Sequence, residues 1–374
     1  MYSQQELDDA VASGVISAEA ADALRAHIQR QRSTVIPDEE QFRLLTGFND
    51  IFVSIAAAIL LFAVGWIGQS IGQSTGLFIS DHGEVGPSFL APFAVGTTAW
   101  FLALFFTARR RMALPSILLL LAFVGGVLAT SAFVLIEVIG ADRFNGQNQL
   151  LAASVGGASA AIAAVAAWIH WRRFHVPITI AAGAAAVAGL VLAVLIAIVQ
   201  PGDSEAAKNL ILSFVLVLGI GVFLFAMWWD ASDRARITRR SDVAFWLHLL
   251  AAPMIAHPIF TLLGLNNGAV GTGEALLVVG LYVLFGLTAL AVDRRALLVS
   301  ALAYVLYALT ELFKQFGAVE LNVALTALII GSALLLLSAY WHQARRVIVM
   351  RLPDALQGRL PELDRPVAIT QPAA

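Results

Sequence analysis

The chain alternates long apolar runs with short polar breaks. Runs of about twenty residues or more fall at roughly 50–71, 88–107, 115–139, 148–171, 176–199, 208–229, 242–265, 274–292, 296–316 and 319–341. As helices rising 1.5 Å per residue, each is long enough to cross about 30 Å of hydrocarbon. A β-barrel is excluded, because barrel strands alternate in polarity and are about ten residues long. The expected fold is all-α: a polytopic helical membrane protein with about ten transmembrane helices. Residues 1–46 follow a different pattern. Leu7, Ala10 and Val11 share one face, Gly14 can end that helix, and Ser17 can cap a second one carrying Leu24 and Ile28. This predicts a small N-terminal cytoplasmic helical hairpin, with Pro37, Asp38, Glu39 and Glu40 as linker. Two short helices bury little surface, so the hairpin is expected to dock on the membrane domain, on its own copy or on a protein partner. The expected division is 1–46 as hairpin and linker, 47–342 as transmembrane bundle, and 343–374 as cytoplasmic amphipathic tail. In that tail Arg351-Leu-Pro-Asp-Ala-Leu and Arg359-Leu-Pro-Glu-Leu read as pieces lying along the inner leaflet.

Composition sharpens this picture. Hydrophobic residues make up 59% of the 374 and charged residues 13%, outside the range of soluble domains. A net charge of -2 gives no basic field for nucleic acid. The absence of cysteine removes disulfides, thiolate nucleophiles and thiolate metal sites. The polar N-terminal stretch is not a secretory signal, so the first apolar helix is expected to be an uncleaved anchor. All but three of the 23 Lys and Arg fall in the N-terminal segment, alternate loops and the tail: 109–111, 172–173, 234–240, 294–295 and 345–365. Only Arg143, Lys208 and Lys314 fall on the other side. Cytoplasmic loops carry the positive excess. Both termini are therefore expected in the cytoplasm.

Polar groups inside apolar runs are the candidates for function, since a charge at mid-membrane costs about 2.5–3.5 kcal/mol. Tyr304, Tyr307, Glu311 and Lys314 form a stripe within roughly 80° of helical arc. They read either as the wall of a hydrated cavity or as an interfacial anchor in which Glu311 and Lys314 pair. The seventh run holds Asp242, His248, Pro253, His257 and Pro258. Each proline removes a donor and frees a carbonyl, those of Leu249 and Met254, predicting a kink or break of the kind transporters use at their binding sites. His248 and His257 lie about half a turn apart and cannot share a face on a regular helix. Either histidine can instead be satisfied by a neighbouring backbone or hydroxyl group. Glu137 and Glu274 could join an outer vestibule, or be interfacial and first-turn carboxylates. Gly68, Gly72 and Gly76 match G-x-S-x-G twice, yet a membrane helix lacks the strained elbow that nucleophile needs. They read as a ridge for close helix packing, as do Gly156, Ala160, Gly183 and Gly189. Asp81-His-Gly-Glu84 in a loop is a weak cation site. No metal-ligand spacing, nucleophile with a base, or phosphate loop is visible, and neither a cofactor nor enzymatic activity is expected.

The hairpin from Glu6-Leu7-Asp8 through Gly14 and Ser17-Ala-Glu19, the run from Ser241 to Pro253, the run from Arg294 to Tyr304 and the Leu-Pro repeats of the tail together resemble a bacterial family of predicted membrane proteins catalogued as domain of unknown function 2157. The resemblance implies a bacterial inner membrane location and carries no activity. Two functions fit these residues: a membrane scaffold or sensor working through its cytoplasmic hairpin, or a small-molecule or ion-coupled transporter with an outward-facing polar cavity around Glu311 and His257.

Overall fold

A computed structural model of the chain describes residues 11–23, 48–81, 84–144, 148–200, 202, 204–236, 238–264, 272–315 and 322–363; the side chains of 81, 84, 272, 307, 308, 310–315, 322 and 323 lie outside that description. The chain divides into a unit of residues 43–363 and a second formed by 1–42 with 364–374. In the second unit the described stretch contains one turn. Gly14 takes φ +73°, where a side chain is disfavoured, and Ser17 Oγ accepts the N–H of Ala20 at 3.1 Å as a helix cap does. Leu7, Ala10, Leu24, Ile28 and the linker at 37–40 lie outside the described residues.

The larger unit consists of helices α1 (Phe48–Thr75), α2 (Leu90–Phe106), α3 (Ala113–Ile139), α4 (Gln149–Phe174), α5 (Ile178–Val199), α6 (Glu205–Ala231), α7 (Arg239–Leu262), α8 (Thr272–Val292), α9 (Ala296–Gln315), α10 (Asn322–Ala339), α11 (Trp341–Val349) and α12 (Asp354–Gln357). A single 3-10 turn and a two-residue antiparallel ladder complete it among the described residues. Seven helices, α1 and α3 to α8, are long and apolar enough to cross a membrane. An eighth span results if α10 and α11 are taken together, although they meet at 74°. The other apolar helices are short: α2 has 17 residues, a rise of about 25 Å, and the described apolar part of α9 ends at Leu306. The ten apolar runs are thus helical over their described residues, and seven or eight of them meet the length and hydropathy of a span there.

Along α1, Phe52, Ile55, Ile59, Phe62 and Trp66 recur on one face and are all exposed, Phe62 to 72%. So large an apolar face requires lipid, and the chain is membrane-embedded. The opposite face carries Ala57, Leu61, Gly68 and Gly72 into the bundle. A Cβ on Gly68 would stand 2.6 Å from the Leu90 carbonyl oxygen, and one on Gly72 would collide with Ser88, so both glycines admit the start of α2. Gly76 does not continue this ridge. It takes φ +76° with open space around it and ends α1, where the Leu77 N–H reaches the Gly72 carbonyl at 2.8 Å.

The cores follow one another along the bundle: Ala57, Leu61, Ala99 and Leu119 between α1, α2 and α3; Leu120, Ala163, Ala167 and Ile178 between α3, α4 and α5; Ala181, Val222, Val243 and Leu247 between α5, α6 and α7; and Ala256, Phe260, Phe285, Ala301 and Val305 between α7, α8 and α9. Small residues bring α4 and α5 together, with Gly183 facing Ala167 and Gly189 facing Ala160. Gly156 faces open space, and its neighbour Gly157 makes the contact, against Ala193 and Leu190.

Helix α7 runs unbroken from Arg239 to Leu262 with both prolines inside it, so the interruption expected at Pro253 and Pro258 is absent. Helix α6 supports it closely: a Cβ on Gly219 would stand 2.9 Å from the carbonyl carbon and oxygen of Met254, the carbonyl that Pro258 deprives of its helical donor. Gly219→Leu should therefore destabilise the bundle by about 1–3 kcal/mol. Gly221→Leu, on the same helix with nothing within 4 Å, should leave the unfolding midpoint in detergent unchanged.

A buried ionic network as candidate functional site

Four chain segments approach one another at the arginine-bearing end of the larger unit: the C-terminal end of α6 with its following loop, α7, the α8–α9 junction, and α11. Asp230, in the last turn of α6, is completely buried. Its Oδ1 accepts from Nη2 of Arg294 at 2.7 Å and its Oδ2 from Nε at 3.3 Å, a two-pronged pairing. His248 of α7 places Nε2 3.1 Å from the same Oδ2, and Arg236 Nε lies 3.9 Å from Oδ1. Arg236 continues to Asp293, donating from Nη1 to Oδ2 at 2.9 Å and from Nη2 to the carbonyls of Val292 and Asp293. The other oxygen of Asp293 accepts from the Trp341 indole at 2.7 Å, with Arg345 Nε 3.8 Å away.

Local sequence explains how these groups converge. Thr238 caps α7 by accepting from the Arg240 N–H, and its own N–H and hydroxyl donate to Asp233 Oδ2 at 3.0 and 2.7 Å. That clamp fixes the loop carrying Arg236. At the end of α8, Asp293 occupies the left-handed position usually held by glycine, φ +60°, while Arg294 N–H returns to the Ala289 carbonyl at 2.9 Å. Arg236 is left-handed as well, φ +55°. Two such positions on non-glycine residues cost on the order of 1–3 kcal/mol each, and the network's hydrogen bonds hold both.

The network also grips the chain beyond α12. Arg345 donates to the carbonyls of Pro361 at 2.7 Å and Glu362 at 3.2 Å. Arg234 donates from Nε to the Leu360 carbonyl at 2.8 Å and from Nη2 to that of Gln357 at 3.3 Å. Leu360 is buried with Val292 and Val349. The second Leu-Pro repeat therefore packs through Leu360 on Val292 and Val349, and residues up to 363 fall in the same unit as the helices.

No family model matches the chain, and neither a curated protein nor a solved structure does. Function is read from the site alone.

Of the residues singled out in the sequence, His257 and Tyr304 are brought together. Nδ1 lies 2.7 Å from the phenol oxygen, His257 is exposed, and the Tyr304 ring stacks on Phe260 at 4.2 Å. The side chains of Tyr307, Glu311 and Lys314 lie outside the described residues, as do those of Asp81, His82 and Glu84. His248 is separate from His257 and is satisfied by the carboxylate of Asp230, a partner that the backbone or hydroxyl expectation did not include. Glu137 is half-buried at the end of α3, and its Oε2 has no hydrogen-bond partner among the described residues. Glu274 and Asp242 are exposed in the first turns of α8 and α7.

The sequence reading passed over Asp230, Asp293, Arg236, Arg294, Arg345 and Trp341. It also missed His170 on α4, fully buried with Nδ1 3.2 Å from the Thr179 hydroxyl and its ring among Trp100, Phe123 and Phe174. A readable signal existed, because aspartates stand beside arginines at two successive ends, Asp230 and Asp233 before Arg234, and Asp293 before Arg294. Among the described residues no group of three or more His, Asp or Glu could hold a metal ion.

Asp230→Ala should destabilise the protein by about 3–5 kcal/mol, because Arg294 would stay buried without its carboxylate. Changing Asp230 and Arg294 together to apolar residues of similar volume should recover part of that loss, seen as a rise in unfolding midpoint over Asp230→Ala.

Proposed function

We propose that this chain is a multi-pass scaffold or sensor of a bacterial inner membrane, with ten crossings, both termini cytoplasmic, and no enzymatic activity of its own. The observation that carries this reading is the closed ionic network. Its carboxylates, guanidiniums and His248 are paired with one another and with backbone carbonyls, which makes a rigid platform among the described residues. A described groove, about 390 Å³ between α2 and α3, is lined by apolar residues apart from Thr97 and Thr130, as suits lipid better than a polar solute. In this reading residues 1–46 meet a partner or a second copy. Helix α11, leaving α10 at 74° with Trp341, Arg345 and Val349 buried, lies along the inner interface. Membership of the family of unknown function named above is part of the same proposal and rests on sequence features.

One observation favours the second reading, a transporter. The hydrogen-bonded pair of His257 and Tyr304 has an exposed histidine on the half of α7 away from the arginines. A hydrated cavity reaching Glu311 would begin there.

Because the chain has no cysteine, single cysteines report both points with a membrane-impermeant maleimide in intact cells. A cysteine at Arg143 should label and one at Arg111 should not; the reverse pattern would overturn the orientation. At His257 and Glu311 the scaffold reading expects protection, and strong labelling at both would replace it with the transporter. Deleting residues 1–46 should change the oligomeric state or abolish capture of a specific partner. Loss of neither would remove the hairpin's role.

A further inference from the structure

We infer that residues 357–363 are a strap occupying, with their own carbonyl oxygens, a two-arginine site that takes a phosphate group when the strap lifts. Arg234 and Arg345 arrive from different segments, the α6–α7 loop and α11, and both direct their forks at one short stretch of chain. Together they donate to the carbonyls of Gln357, Leu360, Pro361 and Glu362. The last three are consecutive residues, so the two forks serve neighbouring carbonyls of one short stretch. Guanidinium forks match phosphate oxygens in two-pronged geometry, and an anionic acceptor adds an ion pairing that a neutral carbonyl lacks. A phosphate is therefore the better ligand for the same donors, and the strap wins by being tethered.

The strap's attachment is thin. Apart from the arginine bonds it is held by Leu360 and the half-buried Leu363, packed with Val292 and Val349, by the Gln357 side chain on the Leu352 carbonyl, by the Glu362 N–H on the Arg234 carbonyl, and by the four-residue α12. A segment with so few buried apolar contacts opens at a fraction of the global unfolding free energy. Arg346, Arg351 and Arg359, close to it in the chain, are exposed and add positive charge that attracts anions. Beneath it, Arg345 lies 3.8 Å from Asp293, so occupancy of the site is felt by the buried network. Two sources supply this chemistry, the headgroup of an anionic phospholipid and free phosphate. The inference holds whether the chain is a scaffold or a carrier.

The test uses the full chain with Leu360→Cys, reconstituted in phosphatidylcholine nanodiscs, and follows the rate of maleimide labelling, with exposed Arg359→Cys as reference. Adding phosphatidylglycerol, or inorganic phosphate to the plain nanodiscs, should raise labelling at 360 several-fold. A response to the lipid alone assigns the headgroup, and a response to phosphate assigns the free anion. In the Arg234→Gln background, whose described hydrogen bonds are lost only from the strap, basal labelling should rise and the anion response should shrink. The proposal is overturned if neither anion changes the rate, or if the response is undiminished in Arg234→Gln.

Discussion

Asp230 sets the terms for the arginine-bearing end of the molecule. It stands in the last turn of α6, where the helix dipole disfavours a negative charge, and it is fully buried. Asp293 repeats the situation one residue beyond α8. A carboxylate at a helix C-terminus, removed from water, survives only with cations and donors around it. Arg294, Arg236, His248 and Trp341 provide them, and each comes from a different segment. The unfavourable placement of two aspartates thus forces α6, α7, the α8–α9 junction and α11 into one arrangement. Apolar packing alone would leave their register looser, since Ala and Leu contacts tolerate sliding.

The rest of the bundle is held by the opposite means. In lipid, apolar side chains gain little from meeting one another, so close backbone approach and dispersion carry the association. Gly68 and Gly72 against α2, Gly219 against Met254, and the alanines between α4 and α5 follow that rule. Gly219 also bears on how α7 accommodates Pro258. The bare backbone of α6 supports the turn where Pro258 withholds a donor, so the deficit stays inside a packed contact.

The all-helical membrane architecture was legible because a span needs about twenty apolar residues and nothing else in the chain imitates that signal. The close approach of α1 to α2 was legible in Gly68 and Gly72, whereas Gly76 looked identical in spacing and became a helix end, since spacing does not reveal φ. The network was illegible for a different reason. Arginine counts report topology so well that Arg236, Arg294 and Arg345 were absorbed as loop charges, although two aspartates beside them at helix ends needed neutralising. The pairing of His248 with Asp230 joins residues 18 apart on adjacent helices, and no single-helix pattern encodes it. His257 and Tyr304 were each readable as candidates, but only the packing of α7 on α9 makes them a pair.

Charge placement also separates the two ends of the molecule in kind. At the arginine-bearing end Asp230, Asp293, Arg236, Arg294 and Arg345 all have structural partners, and the arginines hold the strap through its backbone carbonyls. Leu360 adds a side-chain contact beside Val292 and Val349. At the other end His257 is exposed and has one hydroxyl partner, which constrains its position without burying it. A group held loosely in this way can exchange its partner at small cost, whereas Asp230 cannot. The ionic end is built to stay fixed until something competes for its arginines, and the strap's carbonyls are the weakest ligands those arginines have.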